Sequence, residues 1–139
     1  MKFLLEIITP ERKAFSESVD MVTVPTPLGT TGVLANHMQL FTSLTEGEVK
    51  IVTDKKEVFL AIGGGFMQVT RDKVIVLVSR AVHAHELNEE EIQKAEKEAK
   101  QILAKAAKGD ERAAALSVLR RSVLEMKVLR RRRRTPQIN

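Results

Sequence analysis

The chain has 139 residues, of which 43% are hydrophobic and 4% aromatic, so its core must be built mainly from aliphatic side chains. It contains no cysteine, which excludes disulfides and thiolate metal sites. The net charge of +5 is unevenly placed, because residues 101–139 carry 11 basic and 3 acidic side chains, whereas residues 1–85 carry nine of each.

The first 85 residues alternate short apolar runs with turn residues. The first run, Phe3–Ile8, ends at Thr9-Pro10, and a second, from Val19 to Pro25, is predicted as one strand. Further runs are separated by polar turns at 54–56 and 71–73. Strands this short and this regularly interrupted predict an all-β sandwich or barrel.

Neither a membrane helix nor a signal peptide is predicted. The N-terminal apolar run is interrupted by Glu6, and no stretch approaches the roughly 20 apolar residues of a membrane span. We therefore expect a protein that is soluble, or peripheral through a partner.

The spacing of apolar residues becomes that of a helix after residue 86. Asn88 is a suitable N-cap for a first helix, which Lys108-Gly109 should end, and Asp110 should cap a second helix that stops at Thr135-Pro136. The apolar stripe of the first helix is Ile92, Ala95, Ala99, Ile102, Leu103 and Ala106. The stripe of the second helix is Leu116, Leu119, Val123 and Met126. Two helices joined by a tight turn should pack antiparallel.

The seam of this hairpin is rich in alanine, which buries little surface and stabilises the contact only modestly. Laid end to end as helix, at roughly 1.5 Å per residue, residues 87–134 would span about 70 Å. Two interpretations stay open: a weakly held arm that acts as a switch, or an ordinary helical cap on a β domain.

No catalytic constellation is evident, so we expect no enzyme activity, metal or cofactor. The Gly63–Gly65 run lacks the Lys-Ser/Thr of a phosphate loop and is predicted to mark a strand bend. His83 and His85 could share a face, but without a third ligand they are expected to be a solvent-facing pair at the domain junction.

The run Arg130–Arg134 favours an acidic partner, and nucleic acid is one candidate. Nucleic-acid modules usually add aromatic stacking platforms, but all five Phe residues lie in the β region. The alternatives are a solvated tail and, as a third option, binding to an acidic protein surface.

Several collinear motifs resemble the epsilon subunit of F-type ATP synthases. These are Ile8-Thr9-Pro10-Glu11-Arg12 with Phe15-Ser16-Glu17-Ser18-Val19, Gly32-Val33-Leu34-Ala35-Asn36-His37, Leu44-Thr45-Glu46-Gly47-Glu48-Val49, and Gly64-Gly65-Phe66 followed by Lys73-Val74-Ile75-Val76-Leu77. With the helical hairpin, the resemblance covers nearly the whole chain.

The resemblance implies a β + α fold: a ten-stranded flattened β-sandwich over residues 1–85, followed by an antiparallel helical hairpin with a basic tail over 86–139. It implies a non-catalytic central-stalk subunit that couples ion-driven rotation to ATP synthesis. The implied partners are the gamma subunit, the ring of c subunits and, through the hairpin, the catalytic alpha/beta head, whose ATP hydrolysis the hairpin inhibits. Neither nucleic acid nor direct membrane insertion is implied. We favour the cytoplasmic face of a bacterial plasma membrane over a thylakoid membrane.

The resemblance also places sites on this chain. Contacts to gamma and the c ring fall on one rotor-contact loop of Thr30, Thr31, Asn36, His37 and Met38, although the family's acidic contact there is replaced by threonine. The inhibitory contact falls on Arg120, Arg121, Lys127 and Arg130, Arg131, Arg132, Arg133 and Arg134. Asn88 and Glu91 stand where some members have the Asp and Arg of a regulatory ATP motif, so weak or absent ATP binding is expected.

Overall fold

The computed structural model describes residues 1–105 and 108–134, with side chains to residue 132. Ten strands precede one short 3₁₀ turn (Ala84–Glu86) and two helices. The strands are β1 (Phe3–Ile8), β2 (Lys13–Val19), β3 (Met21–Thr26), β4 (Gly29–Leu34), β5 (Leu40–Leu44), β6 (Gly47–Thr53), β7 (Lys56–Ile62), β8 (Gly65–Val69), β9 (Lys73–Val78) and β10 (Ala81–His83). The helices are α1 (Glu89–Ala104) and α2 (Gly109–Arg134).

The strands form two five-stranded sheets, which confirms the predicted β-sandwich. The first sheet has the order β2-β1-β9-β8-β5, and the second has the order β10-β7-β6-β3-β4. Neighbours pair antiparallel, except that β1 and β9 are parallel. The core lies between the sheets and is aliphatic, as the composition predicts, with fully buried residues such as Leu5, Ile51 and Leu60.

Alternation along the strands explains which side chains enter this core. On β6, Val49 and Ile51 are buried, so Glu48 and Lys50 point to the outer face of the second sheet. The predicted single strand from Val19 to Pro25 is wrong, because β2 ends at Val19 and β3 begins at Met21 in the other sheet.

The glycine run has the structural role predicted for it. A Cβ at Gly65 would clash with the Leu77 carbonyl oxygen, and one at Gly63 would clash with Ser79 Oγ. Glycine therefore lets the end of β7 and the start of β8 approach the β9–β10 turn.

Both helices form, but their ends differ from the prediction. The Asn88 side chain caps α1, accepting hydrogen bonds from the backbone N–H groups of Glu90 (2.9 Å) and Glu91 (3.3 Å). The first helix ends at Ala104, before the predicted stop at 108–109, and Asp110 lies in the first turn of α2 and is not its cap. The predicted stop at 135–136 lies outside the described residues.

The hairpin buries more than one stripe of α2. The predicted stripe of α1 is confirmed within the described residues, since Ile92 and Ala99 are buried and their apolar neighbours on that face are half-buried. On α2, however, Val123 is 58% exposed, whereas Ser122, one residue away, is buried. The reason is that α2 packs against α1 on one side and the sandwich on another, so its buried surface is wider than a single stripe.

Candidate functional site

The residues expected to contact gamma and the c ring lie at two ends of one edge strand. Thr30 and Thr31 are near the start of β4, beside the β3–β4 turn, whereas Asn36, His37 and Met38 follow its end. The four residue steps from Thr30 to the end of β4 separate the two groups by roughly 13 Å. The structure therefore gives two exposed tips, not a single contact loop.

Each tip presents apolar surface. At the β3–β4 turn Leu28 is fully exposed, and beyond β4 Met38 is 81% exposed. The second tip is held in shape by Asn36, whose φ of 62° is left-handed, and by His37, whose Nδ1 lies 2.8 Å from the Met38 carbonyl oxygen.

The outer face of the first sheet carries an apolar patch that no sequence motif indicates. Antiparallel pairing puts Phe66 of β8 beside Leu77 of β9, and parallel pairing puts Ile8 of β1 next in the same row. Phe41 of β5 stacks on Phe66, with ring centroids 5.7 Å apart. Three of these side chains are at least half exposed: Phe41 (68%), Leu77 (51%) and Phe66 (50%). Such a patch on a folded domain indicates an interaction surface.

The charged side chains beside this apolar patch (Ile8, Phe41, Phe66 and Leu77) include one ion-paired cluster. Glu6, on the same face of β1, is bound by Lys13 (2.7 Å) and by Lys73. These lysines lower the pKa of Glu6, so it is ionised and neutralised in place. The surface is thus suited to an apolar partner.

The outer face of the second sheet is covered by α2. Phe59 and Ala61 of β7 point outward and are buried against Val128, which is fully buried, and against Ala84 of the 3₁₀ turn. Leu124 packs against the same cluster. The hairpin is therefore docked on the sandwich through a small apolar contact.

Charged side chains flank this contact. Arg80 Nη1 lies 2.5 Å from Glu125 Oε1, and Arg131 lies 3.6 Å from Glu48 Oε1. The Arg131 guanidinium also lies over the Phe59 ring, 5.4 Å from its centroid. The expectation that no aromatic accompanies the arginines is wrong in three dimensions, because β7 and α2 are adjacent only in the fold.

The other predicted inhibitory cations face solvent. Arg120, Arg121, Lys127, Arg130 and Arg132 are exposed. They make no ion pair within the part of the chain that the structure describes. The side chains of Arg133 and Arg134 lie outside the described residues. Among the described side chains of this set, Arg131 is the one that contacts the sandwich.

The junction between sandwich and hairpin is held by polar contacts. Arg12 binds both carboxylate oxygens of Glu86, at 2.8 and 3.0 Å, and donates to the Ala81 carbonyl oxygen. His83 is not solvent-facing as predicted: it is half-buried, with Nε2 2.6 Å from the Ala14 carbonyl oxygen, while His85 stacks on it and is exposed. No group of three or more metal-binding side chains occurs among the described residues.

Glu86 makes the junction sensitive to acid. Hydrogen bonding to Arg12, with a smaller contribution from the His83 backbone N–H, lowers the pKa of Glu86 to about 2. A carboxyl with a depressed folded pKa stabilises the fold above its unfolded pKa of about 4.3, and this contribution is lost as the pH falls toward 2.

Glu86→Gln should therefore lower the free energy of unfolding at pH 7 by on the order of 1 kcal/mol, because both partners are partly exposed and water screens the pair. Urea unfolding of both proteins at several pH values should show this difference shrinking between about pH 4 and pH 2. A difference that stays constant over this range would show that the ion pair contributes nothing.

Comparisons with known proteins agree with the fold and extend along the chain. Residues 2–84 match the family model described as ATP synthase, Delta/Epsilon chain, beta-sandwich domain. The chain is 37% identical to an ATP synthase epsilon chain of Dehalococcoides mccartyi over 138 residues, which covers 99% of each chain. It is 36% identical to that of Herpetosiphon aurantiacus over 133 residues, covering 96% of this chain and 98% of the relative.

Single chains within two solved ATP synthase assemblies are similar to this chain. A chain in the Euglena gracilis mitochondrial ATP synthase structure of OSCP, F1 and c-ring is 25% identical, with a TM-score of 0.66, covering 93% of this chain and 78% of that one. A chain in the Tetrahymena thermophila central stalk and c-ring structure has a TM-score of 0.59 at 17% identity, which shows the fold alone. By its sandwich domain and its full-length relatives, the chain belongs to the ATP synthase delta/epsilon family and is an epsilon chain within it.

Proposed function

We propose that this epsilon chain is a non-catalytic rotor subunit of the central stalk, which couples ion-driven rotation to ATP synthesis. The observation that carries the proposal is the apolar patch of Ile8, Phe41, Phe66 and Leu77 on a rigid sandwich. A subunit that transmits torque needs a rigid body with a durable apolar contact to the shaft. The resemblance of the chain to a subunit in an F1/c-ring assembly supports the same role.

The gamma subunit is the partner proposed for the apolar patch. The stacked Phe41–Phe66 pair supplies a flat aromatic surface, and aromatic side chains are the commonest anchors at protein interfaces. Because Glu6 is already paired with Lys13 and Lys73, gamma would not have to desolvate an unpaired carboxylate there when it covers the face.

The two tips of β4 are proposed to contact the c ring and the adjoining part of gamma. Leu28 and Met38 supply exposed apolar groups, and Thr30 offers a neutral hydrogen-bonding group where the family often has an acid. A contact of this composition should depend little on salt, unlike one built on a carboxylate.

The hairpin is proposed to inhibit ATP hydrolysis by extending into the catalytic head. Its support is the row of exposed cations on α2, which are available to an acidic surface of the beta subunit. Because α2 is docked through a small apolar contact, release does not require unfolding of the sandwich.

The proposed location is the cytoplasmic face of a bacterial plasma membrane, where the chain is held peripherally by its partners. Its full-length relatives named above are bacterial proteins. No helix in the described ranges 1–105 and 108–134 is long and apolar enough to cross a membrane.

A pull-down from a membrane extract tests the rotor role against the alternative of a nucleic-acid-binding module. The tagged chain should retain gamma in stoichiometric amount and should not retain a labelled RNA of mixed sequence at physiological salt. Retention of RNA that is lost when Arg130–Arg134 become alanine, without any gamma, would favour the alternative.

Regulatory ATP binding is expected to be weak or absent. Asn88 uses its side chain to cap α1, and Glu91 stands where the family's motif has an arginine, so its carboxylate would repel phosphate. Isothermal titration of the isolated chain with ATP should give no micromolar binding, and a micromolar dissociation constant would contradict this expectation.

A further inference from the structure

The docked helix α2 covers a carboxylate that is poorly paired. Glu48 points outward from β6, and its side chain is only 15% exposed. Its Oε1 lies 3.6 Å from Arg131, beyond hydrogen-bond distance, and its Oε2 is buried without a partner in the described chain. Lys50, two residues along the same face, is bound to Glu57 at 3.1 Å. Glu48 thus has one long ion pair and no hydrogen bond to the described residues.

The burial of Glu48 follows from docking of the hairpin. Outward-facing residues of a sandwich face water unless another element covers them, and Glu48 pairs directly with Ala61, which α2 buries. Taking a carboxylate out of water is expensive, and only a close pair with additional hydrogen bonds compensates for it. Arg131 remains 45% exposed, so water screens its attraction to the Glu48 carboxylate.

We infer that Glu48 opposes docking of α2 and thereby keeps the docked and released hairpin close in free energy. This role of Glu48 rests on the proposed function, in which the hairpin moves, and it balances the contacts that favour docking. The apolar cluster around Phe59 and Val128, together with the short Arg80–Glu125 pair, favours docking. Removal of the Glu48–Arg131 ion pair by substitution of Glu48 should therefore tighten the contact between α2 and the sandwich. A count of ion pairs predicts the opposite effect.

The absence of cysteine from the sequence permits a direct test in the full-length chain. Ala84→Cys places a thiol under α2, where Ala84 is 3% exposed, and its labelling rate by a maleimide reports how often the helix lifts. Each rate is divided by the rate of the same chain in denaturant. In this background Glu48→Met should slow labelling about tenfold, and Glu48→Gln should slow it less.

Glu17→Met is the matched control, because Glu17 is an exposed carboxylate on β2 of the other sheet and makes no ion pair to any described side chain. Its labelling rate should stay within about twofold of the parent. Rates that rise, or do not change, in both Glu48 variants overturn the inference. Slower labelling by both variants with unchanged ATP hydrolysis by the assembled complex supports the inference and argues instead against the inhibitory role of the hairpin.

Discussion

Phe66→Asp is expected to weaken binding of the chain to the gamma subunit by roughly thirtyfold or more, the effect of losing one aromatic anchor at a protein interface. Phe66 stacks on Phe41 and shares a row with Leu77, so a carboxylate there would be desolvated in the middle of the apolar patch. Surface plasmon resonance with immobilised gamma measures the change.

The fold should survive this substitution, because the Phe66 side chain is 50% exposed and lies outside the core between the sheets. Val123→Asp is the matched control: Val123 is similarly exposed, at 58%, but lies on α2, away from the apolar patch. Its affinity should stay within about twofold of the parent. An unchanged affinity for Phe66→Asp would place gamma on a different surface of the chain.

Replacing the α2 cations of the predicted inhibitory contact, except Arg131, with glutamine is expected to raise ATP hydrolysis by the assembled complex severalfold. The substitutions cover Arg120, Arg121, Lys127, Arg130, Arg132, Arg133 and Arg134. Arg131 is kept because it contacts Phe59 and Glu48, so that docking on the sandwich is disturbed least. Charge-assisted pairing with an acidic surface would be lost, and that pairing should also weaken with salt in the parent.

A control variant separates charge at this site from charge in general. Lys94→Gln, Lys97→Gln and Arg112→Gln remove exposed cations elsewhere in the hairpin and should leave hydrolysis unchanged. Deletion of residues 109–139 should raise hydrolysis at least as much as the glutamine substitutions. Hydrolysis that stays at the parental rate in both altered complexes would remove the inhibitory role and leave the coupling role standing.

The sandwich could be predicted from the sequence because strands and turns are set by residues close together in the chain. Alternation on β6 places Val49 and Ile51 in the core and points their neighbours to the outer face of the sheet, and the turns at 54–56 and 71–73 divide the strands. Asn88 is predictable as a helix cap because capping depends on residues two and three positions away. Helix ends are predicted less accurately: the stop signal at 108–109 lies four residues beyond Ala104, where α1 ends.

The interaction surfaces could not be predicted, because they depend on register and on docking. Phe41 and Phe66 meet only when β5 pairs with β8, and no spacing in the sequence encodes that pairing. Arg131 and Phe59 are likewise brought together only when α2 lies across β7. For the same reason a one-stripe helix pattern misplaces Val123, which a helix with two packing partners leaves exposed.

The coupling role is tested most directly by ATP synthesis under an imposed ion gradient, in vesicles that contain the complex assembled with or without this chain. We expect gradient-driven synthesis with the intact chain, and a loss of most of that synthesis when the chain is omitted or carries Phe66→Asp. Equal rates of gradient-driven synthesis in all three preparations would contradict the rotor assignment.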